Sequence, residues 1–452
     1  MCGYTKKVNE MVDKLIIMIY NIYRGDIVKI ERTDYLQRLI DKQGNNMIKV
    51  ITGLRRSGKS YLLYNLFRKY LLDNVTDDKH IIYLALDSEE NKKYWNSAVL
   101  NEYLLSRIEN EEENYYILLD EIQNVDDFVP VLNGFLYKDN VDVYVTGSNS
   151  KMLSSDISTE FRGRGDVIHL YPLTFKEYLD AYDGDKDDAW NDYVLYGGLP
   201  YILLCKTEED KAEYLKNLYK ETYLDDIKER RNIKNGQLLN DILDVLSSQI
   251  GSLTNPTRLT NIINARYTSD SKNKNEELVN KNTIDNYIGY IEDAFLINKA
   301  QRYDIKGNHY INSPYKYYYE DIGLRNARLN FRQIDDGHIM ENIIYNELLA
   351  RRYNVDIGIV EAFDKDDDKT VRKNYEVDFI VNKGAKKYYI QSAYQLTDAA
   401  KTNQEKQSLI HIGDSFKKII IVRDNIKTRI DNDGIVTMGI YHFLLNKNSL
   451  DE

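Results

Sequence analysis

Gly53-Leu54-Arg55-Arg56-Ser57-Gly58-Lys59-Ser60 decides how this chain is read. Its pattern, G-x-x-x-x-G-K-S, is that of a phosphate-binding loop. The glycines let the backbone turn tightly enough for successive N–H groups to converge on phosphate oxygens, and the helix that follows adds the positive end of its dipole. Lys59 would place its charge on the β- and γ-phosphates, and Ser60 its hydroxyl on Mg²⁺. The flanks fit this reading. Met47-Ile48-Lys49-Val50-Ile51-Thr52 predicts a buried strand, and Leu62, Leu63, Leu66, Phe67, Tyr70 and Leu71 recur at helical spacing after the loop.

Working outward, apolar runs at His80–Asp87, Tyr115–Asp120, Val141–Gly147 and Asp166–Tyr171 alternate with helical segments. This predicts an α/β core, residues 30–180, with a parallel sheet covered by helices on both faces. The third strand ends in Asp120-Glu121. At the carboxyl end of a parallel strand these side chains stand where ligands sit, Asp120 to hold Mg²⁺ and Glu121 to orient or deprotonate water. The fourth strand runs into Thr146-Gly147-Ser148-Asn149. Ser148 or Asn149 would position that water or sense the γ-phosphate, the alternative being a turn or a helix cap.

Next come Glu160-Phe161-Arg162-Gly163-Arg164-Gly165, Pro172-Leu173-Thr174-Phe175-Lys176-Glu177-Tyr178 and Tyr196-Gly197-Gly198-Leu199-Pro200. The order G-x-R-R-x-G-K-S, I-L-L-D-E-I-Q, T-G-S, G-R, P-L-T-F-x-E-Y and Y-G-G-L-P resembles the predicted bacterial and archaeal ATPases of the AAA+ superfamily. The resemblance implies an AAA+ fold, with ATP and Mg²⁺ as ligands. It also implies an arginine finger near Arg164, with Arg162 as its competitor, acting in its own chain or on a neighbouring subunit.

Residues 181–235 are expected as a helical lid and linker. Residues 236–310, with Asn282–Glu292 and the run Ala294–Ala300, resemble the winged-helix unit that the family carries after its ATPase core. Lys281, Asn282 and Asn286 could face a DNA groove, but Asp285 and Glu292 share their helix, so a structural or protein-contacting role is favoured over DNA. In residues 311–452, Glu341 on a helix, Asp378 on a strand and the next strand Lys387–Ala393 resemble a restriction-endonuclease-like fold. The Glu-x-Lys position of such nucleases is here Gln391-Ser392-Ala393, which lacks one anionic ligand and the lysine. The unit reads as a nuclease-like scaffold without nuclease activity.

A formal net charge of −11 argues against a protein that coats nucleic acid nonspecifically, and two cysteines build neither a disulfide framework nor a cysteine zinc site. The cysteine content suits a reducing cytosol, and the cytoplasm is the expected compartment. Within residues 1–29, read as an N-terminal extension, Leu15–Tyr20 is apolar but too short to span a bilayer. The acidic run Asp364–Asp368 reads as a solvated turn. The expected function is ATP hydrolysis that rearranges the C-terminal units or a bound protein partner, with homo-oligomers allowed. The rivals are a nucleotide-switched binding protein and an ATP-gated DNA-binding or nuclease protein.

Overall fold

The computed structural model describes residues 30–147, 161, 163–224, 227–228, 231, 233, 235–270, 278–333, 335–366, 369–396 and 398–452. Ser148, Asn149, Arg162 and residues 1–29, with Leu15–Tyr20, lie outside these. Among the described residues no helix is long and apolar enough to cross a membrane.

The expected α/β core is present as a five-stranded sheet. Its strands are β1 (Ile48–Thr52), β2 (Ile81–Ala85), β3 (Tyr115–Asp120), β4 (Val141–Thr146) and β5 (Gly165–His169). They lie in the order β2-β3-β4-β1-β5, with every pairing parallel. Because side chains alternate across a strand, each one feeds two cores. Ile117 and Leu119 of β3 pack with Leu100, Leu104 and Leu132 on one face, whereas Tyr116 and Leu118 pack with Leu62, Leu63 and Phe67 on the other. Burial of each such side chain is worth roughly 1.5–3 kcal/mol, so the helix after the phosphate loop is fixed by its packed face. That helix opens with the π-helical stretch Tyr61–Phe67 and continues through Arg68–Asn74.

The middle of the chain is helical, with long helices at Gly236–Ser248, Pro256–Asp270 and Lys281–Asp293. Strands β6 (Ile297–Asp304) and β7 (His309–Tyr319) then form an antiparallel pair. The C-terminal strands are β8 (Asn354–Asp366), β9 (Lys369–Lys383), β10 (Lys386–Ala393), β11 (Lys417–Val422), β12 (Arg429–Ile430) and β13 (Ile435–Gly439). All eight join one mixed sheet, in the order β12-β13-β11-β10-β9-β8-β6-β7.

This corrects the expected boundary between residues 310 and 311, which falls inside β7. The physical reason is a ladder that composition does not reveal: Arg302, Tyr303 and Asp304 of β6 pair in parallel with Ile357, Gly358 and Ile359 of β8. The hairpin is thereby hydrogen-bonded into the C-terminal sheet. Beneath it one apolar body runs from Trp190 and Tyr193 through Ile242, Ile288 and Tyr318 to Phe379 and Ile419.

Candidate nucleotide site

The loop 53–60 leaves the carboxyl end of β1, which lies between β4 and β5. Gly53 has φ +135°, and a Cβ on it would stand 2.3 Å from the Leu170 carbonyl oxygen, so no other residue fits there. Arg56 also takes a left-handed conformation, with φ 68°. Lys59 is buried, and its Nζ donates to the carbonyls of Gly53 at 3.1 Å and Leu54 at 3.0 Å. Burial lowers its pKa, while Glu121 and Asp120 act to raise it. The Ser57 hydroxyl is buried in the same loop with no hydrogen-bond partner.

Asp120 and Thr146 end the neighbouring strands β3 and β4. The Thr146 hydroxyl donates to Asp120 Oδ1 and accepts the Glu121 backbone N–H at 2.9 Å. One threonine therefore holds the Asp120 carboxylate and the backbone of Glu121. Burial raises the pKa of Asp120, opposed by the hydrogen bonds from Thr146 and from the Ser60 hydroxyl. Ser60 and Asp120 thus meet through their oxygens, a hard-donor pair suited to Mg²⁺. Glu121 is held in a left-handed conformation, and Gln123 Nε2 donates to its Oε2. The buried ammonium, the loop glycines and this oxygen pair fit a magnesium-bound polyphosphate.

The underside of the loop is braced by Arg32, which sequence reasoning missed. Its buried guanidinium donates to the carbonyls of Tyr171, Pro172 at 3.4 Å and Ser57 at 3.5 Å, and pairs with Glu177 at 2.8 Å. Glu177 in turn closes a capping box with Thr174. The P-L-T-F-x-E-Y segment therefore anchors a helix and presents a carboxylate to the brace.

The Tyr196-Gly197-Gly198 segment meets the C-terminal half of the chain. Gly198 N donates to Asp321 Oδ2 at 2.8 Å, and Asp321 Oδ1 accepts from Leu324 N at 3.0 Å to cap the helix Ile322–Arg328. Gly197 has φ +77°, and a Cβ there would lie 2.4 Å from Asp321 Oδ1. Burial pushes Asp321 up to about 6. Beside it the buried Glu320 Oε1 is hydrogen-bonded to His169 Nε2 at 3.0 Å, at the carboxyl end of β5. Its charge also reaches Lys59.

Arg164 stands apart from this site. Its carbonyl accepts from Ile48 N at 2.9 Å, which places it at the amino end of β1, and its guanidinium lies over the Tyr137 ring. A strand rises about 3.3 Å per residue, so roughly 16 Å of β1 separates it from the loop in the same chain. In the C-terminal unit Glu341 and Asp378 come together in a buried cluster that also includes Glu376 and Lys316.

A family profile described as an AAA domain matches residues 45–179. A second, described as a domain of unknown function, matches residues 187–335. An uncharacterized protein of Haemophilus influenzae is 32% identical over 421 residues, covering 92% of this chain and 98% of the relative. Another uncharacterized protein, from Methanocaldococcus jannaschii, is 28% identical over 427 residues, with 89% and 86% covered. Among solved structures, the chain is similar to a Walker-type ATPase of Pyrococcus abyssi at a TM-score of 0.48 and 14% identity, covering 67% of this chain and 96% of that one.

Proposed function

The chain belongs to the AAA-type P-loop ATPase family, and from that premise we propose that it hydrolyses ATP with Mg²⁺ and couples turnover to movement of its C-terminal units or a bound partner. The observation that carries this reading is the Thr146 hydroxyl, which holds the Asp120 carboxylate and the backbone of Glu121 beside Ser60 and Lys59. In this reading Gly53, Leu54, Arg55, Arg56, Ser57, Gly58, Lys59 and Ser60 cradle the phosphates. Ser60 and Asp120 hold the cation. Bound there, Mg²⁺ supplies charge neutralisation on the β- and γ-phosphate oxygens.

Glu121 orients the attacking water and takes its proton, and Ser148 or Asn149 assists at the same edge. Arg164 stabilises charge on the active site of a neighbouring copy, since its place at the far end of β1 suits contact in trans. A homo-oligomer follows from that role. The three helices before β6 with the β6–β7 hairpin act as a winged-helix unit that contacts protein rather than DNA. The cytoplasm is the expected compartment.

The second reading is a nucleotide switch with negligible turnover. It is favoured by one contact, the Gln123 amide on the Glu121 carboxylate, which holds the base aside. Steady-state ATP hydrolysis by the wild type and by Glu121→Gln, with nucleotide binding measured on both, separates the two. Turnover lost with binding retained supports the ATPase. A wild type that binds ATP but never turns it over, at any protein concentration, replaces it with the switch.

A further inference from the structure

Three carboxylates converge in the C-terminal unit. Glu341 comes from the helix Asp336–Ala350, and Glu376 and Asp378 from β9, where a spacing of two puts them on one face. An architecture of this kind would use them to grip a divalent cation. The atom they surround belongs to the chain itself. Lys316 Nζ lies 2.9 Å from Glu341 Oε1, 2.8 Å from Glu376 Oε1 and 3.8 Å from Asp378 Oδ1.

The remaining lone pairs are also served from within. Tyr318, two residues along β7 and so on the same face as Lys316, donates its hydroxyl to Glu341 Oε1. Ser392 N donates to Asp378 Oδ2 at 2.8 Å. Gln391, at the first position of the altered Glu-x-Lys triplet, accepts the Asp378 backbone N–H on its Oε1 at 3.4 Å and otherwise bonds side chains outside the three carboxylates. Its Oε1 accepts from the Ser408 hydroxyl at 3.2 Å and its Nε2 points to Glu405 at 3.4 Å. Ala393 is buried in the apolar layer. A divalent cation therefore does not fit this donor set as it stands: its place is filled and its fourth ligand is absent.

We propose that the Lys316 ammonium is a tethered substitute for the metal ion, so that the C-terminal unit is a metal-free scaffold held closed by its own lysine. The charges agree with the geometry. Burial acts to lower the pKa of Lys316, yet the three carboxylates hold it above the usual lysine range. Burial and then Glu341 push Asp378 well above the usual carboxylate range, with Lys316 opposing. An ammonium is fixed by three N–H directions and cannot activate water as a bound metal does.

The test is Mn²⁺ titration of the full, nucleotide-free chain, followed by electron paramagnetic resonance. Wild type and Glu341→Gln are expected to bind the same number of Mn²⁺ ions, because any weak binding at the phosphate loop is common to both. Lys316→Ala is expected to gain one ion per chain, bound roughly tenfold or more tightly than by wild type, and Glu341→Gln in that background removes it. A wild-type ion that disappears in Glu341→Gln overturns the proposal. So does a folded Lys316→Ala chain that gains none. Should Lys316→Ala fail to fold even with Mn²⁺ present, the comparison of wild type with Glu341→Gln decides alone.

Discussion

Two buried lysines, Lys59 and Lys316, face carboxylates in opposite senses. At the phosphate loop, Lys59 donates to backbone carbonyls, while Asp120 is held by the Thr146 and Ser60 hydroxyls. The Asp120 carboxylate is held by neutral donors rather than by a cation of the chain's own strands. In the C-terminal unit, Lys316 bonds Glu341 and Glu376 directly and the charge is spent internally. The same residue types thus make a binding site or a closed ion cluster according to which group neutralises which.

The largest test of this contrast is Glu121→Gln, which should lower turnover by about 10²–10⁴-fold while ATP binding and the unfolding midpoint stay near wild type. A loss of binding in step with turnover would place Glu121 among the structural carboxylates instead. Lys316→Ala should do the reverse. Removing one partner of a buried charge cluster costs about 3–5 kcal/mol, read as a lower denaturant midpoint for the C-terminal unit, with ATP affinity nearly unchanged.

A smaller effect is expected at Glu292, which burial pushes up to about 7, with Lys299 opposing. Its folded pKa lies above its unfolded value. The protonated form is therefore favoured in the native state, and this contribution is complete below about pH 4.5 and lost as the pH rises through 7. Glu292→Gln should be more stable than wild type by about 2 kcal/mol at pH 8 and show little difference at pH 4.5, in paired denaturant titrations. The smallest is Thr174→Ala, which removes the side-chain cap beneath the Arg32 brace and should cost about 1 kcal/mol, with turnover reduced less than by Glu121→Gln.

The first half of the chain was legible because its chemistry is local. The strand, the glycine loop and the helix after it lie within thirty residues, and Asp120 follows its own apolar run, so periodicity and motif locate them together. Thr146 is visible as the end of β4, but its bond to Asp120 depends on which strands are neighbours, which the local pattern does not give. Arg32 reaches partners from Ser57 to Glu177 and carries no pattern of its own. Lys316 was the least legible. It sits in β7 among tyrosines, and β6 and β8 stand between that strand and β9 in the sheet order. A sequence records that Glu341 and Asp378 can meet a cation, not that the cation comes from sixty residues upstream of one of them. The boundary placed at 310 failed for a related reason, since backbone ladders such as Arg302 to Ile357 leave no side-chain signature.

Strand β7 also joins the two regions physically. Lys316 is clamped near its carboxyl end, and Glu320 follows four residues later against His169. At strand rise the two are about 13 Å apart. Between them the strand is paired with β6 through Tyr319 and bonded to Asn342 and Asn346, so its end beside the phosphate loop is firmly held. Strand β7 is thus a tie between the phosphate loop and the eight-stranded sheet, and loosening Lys316 would slacken it at the end that carries Glu320.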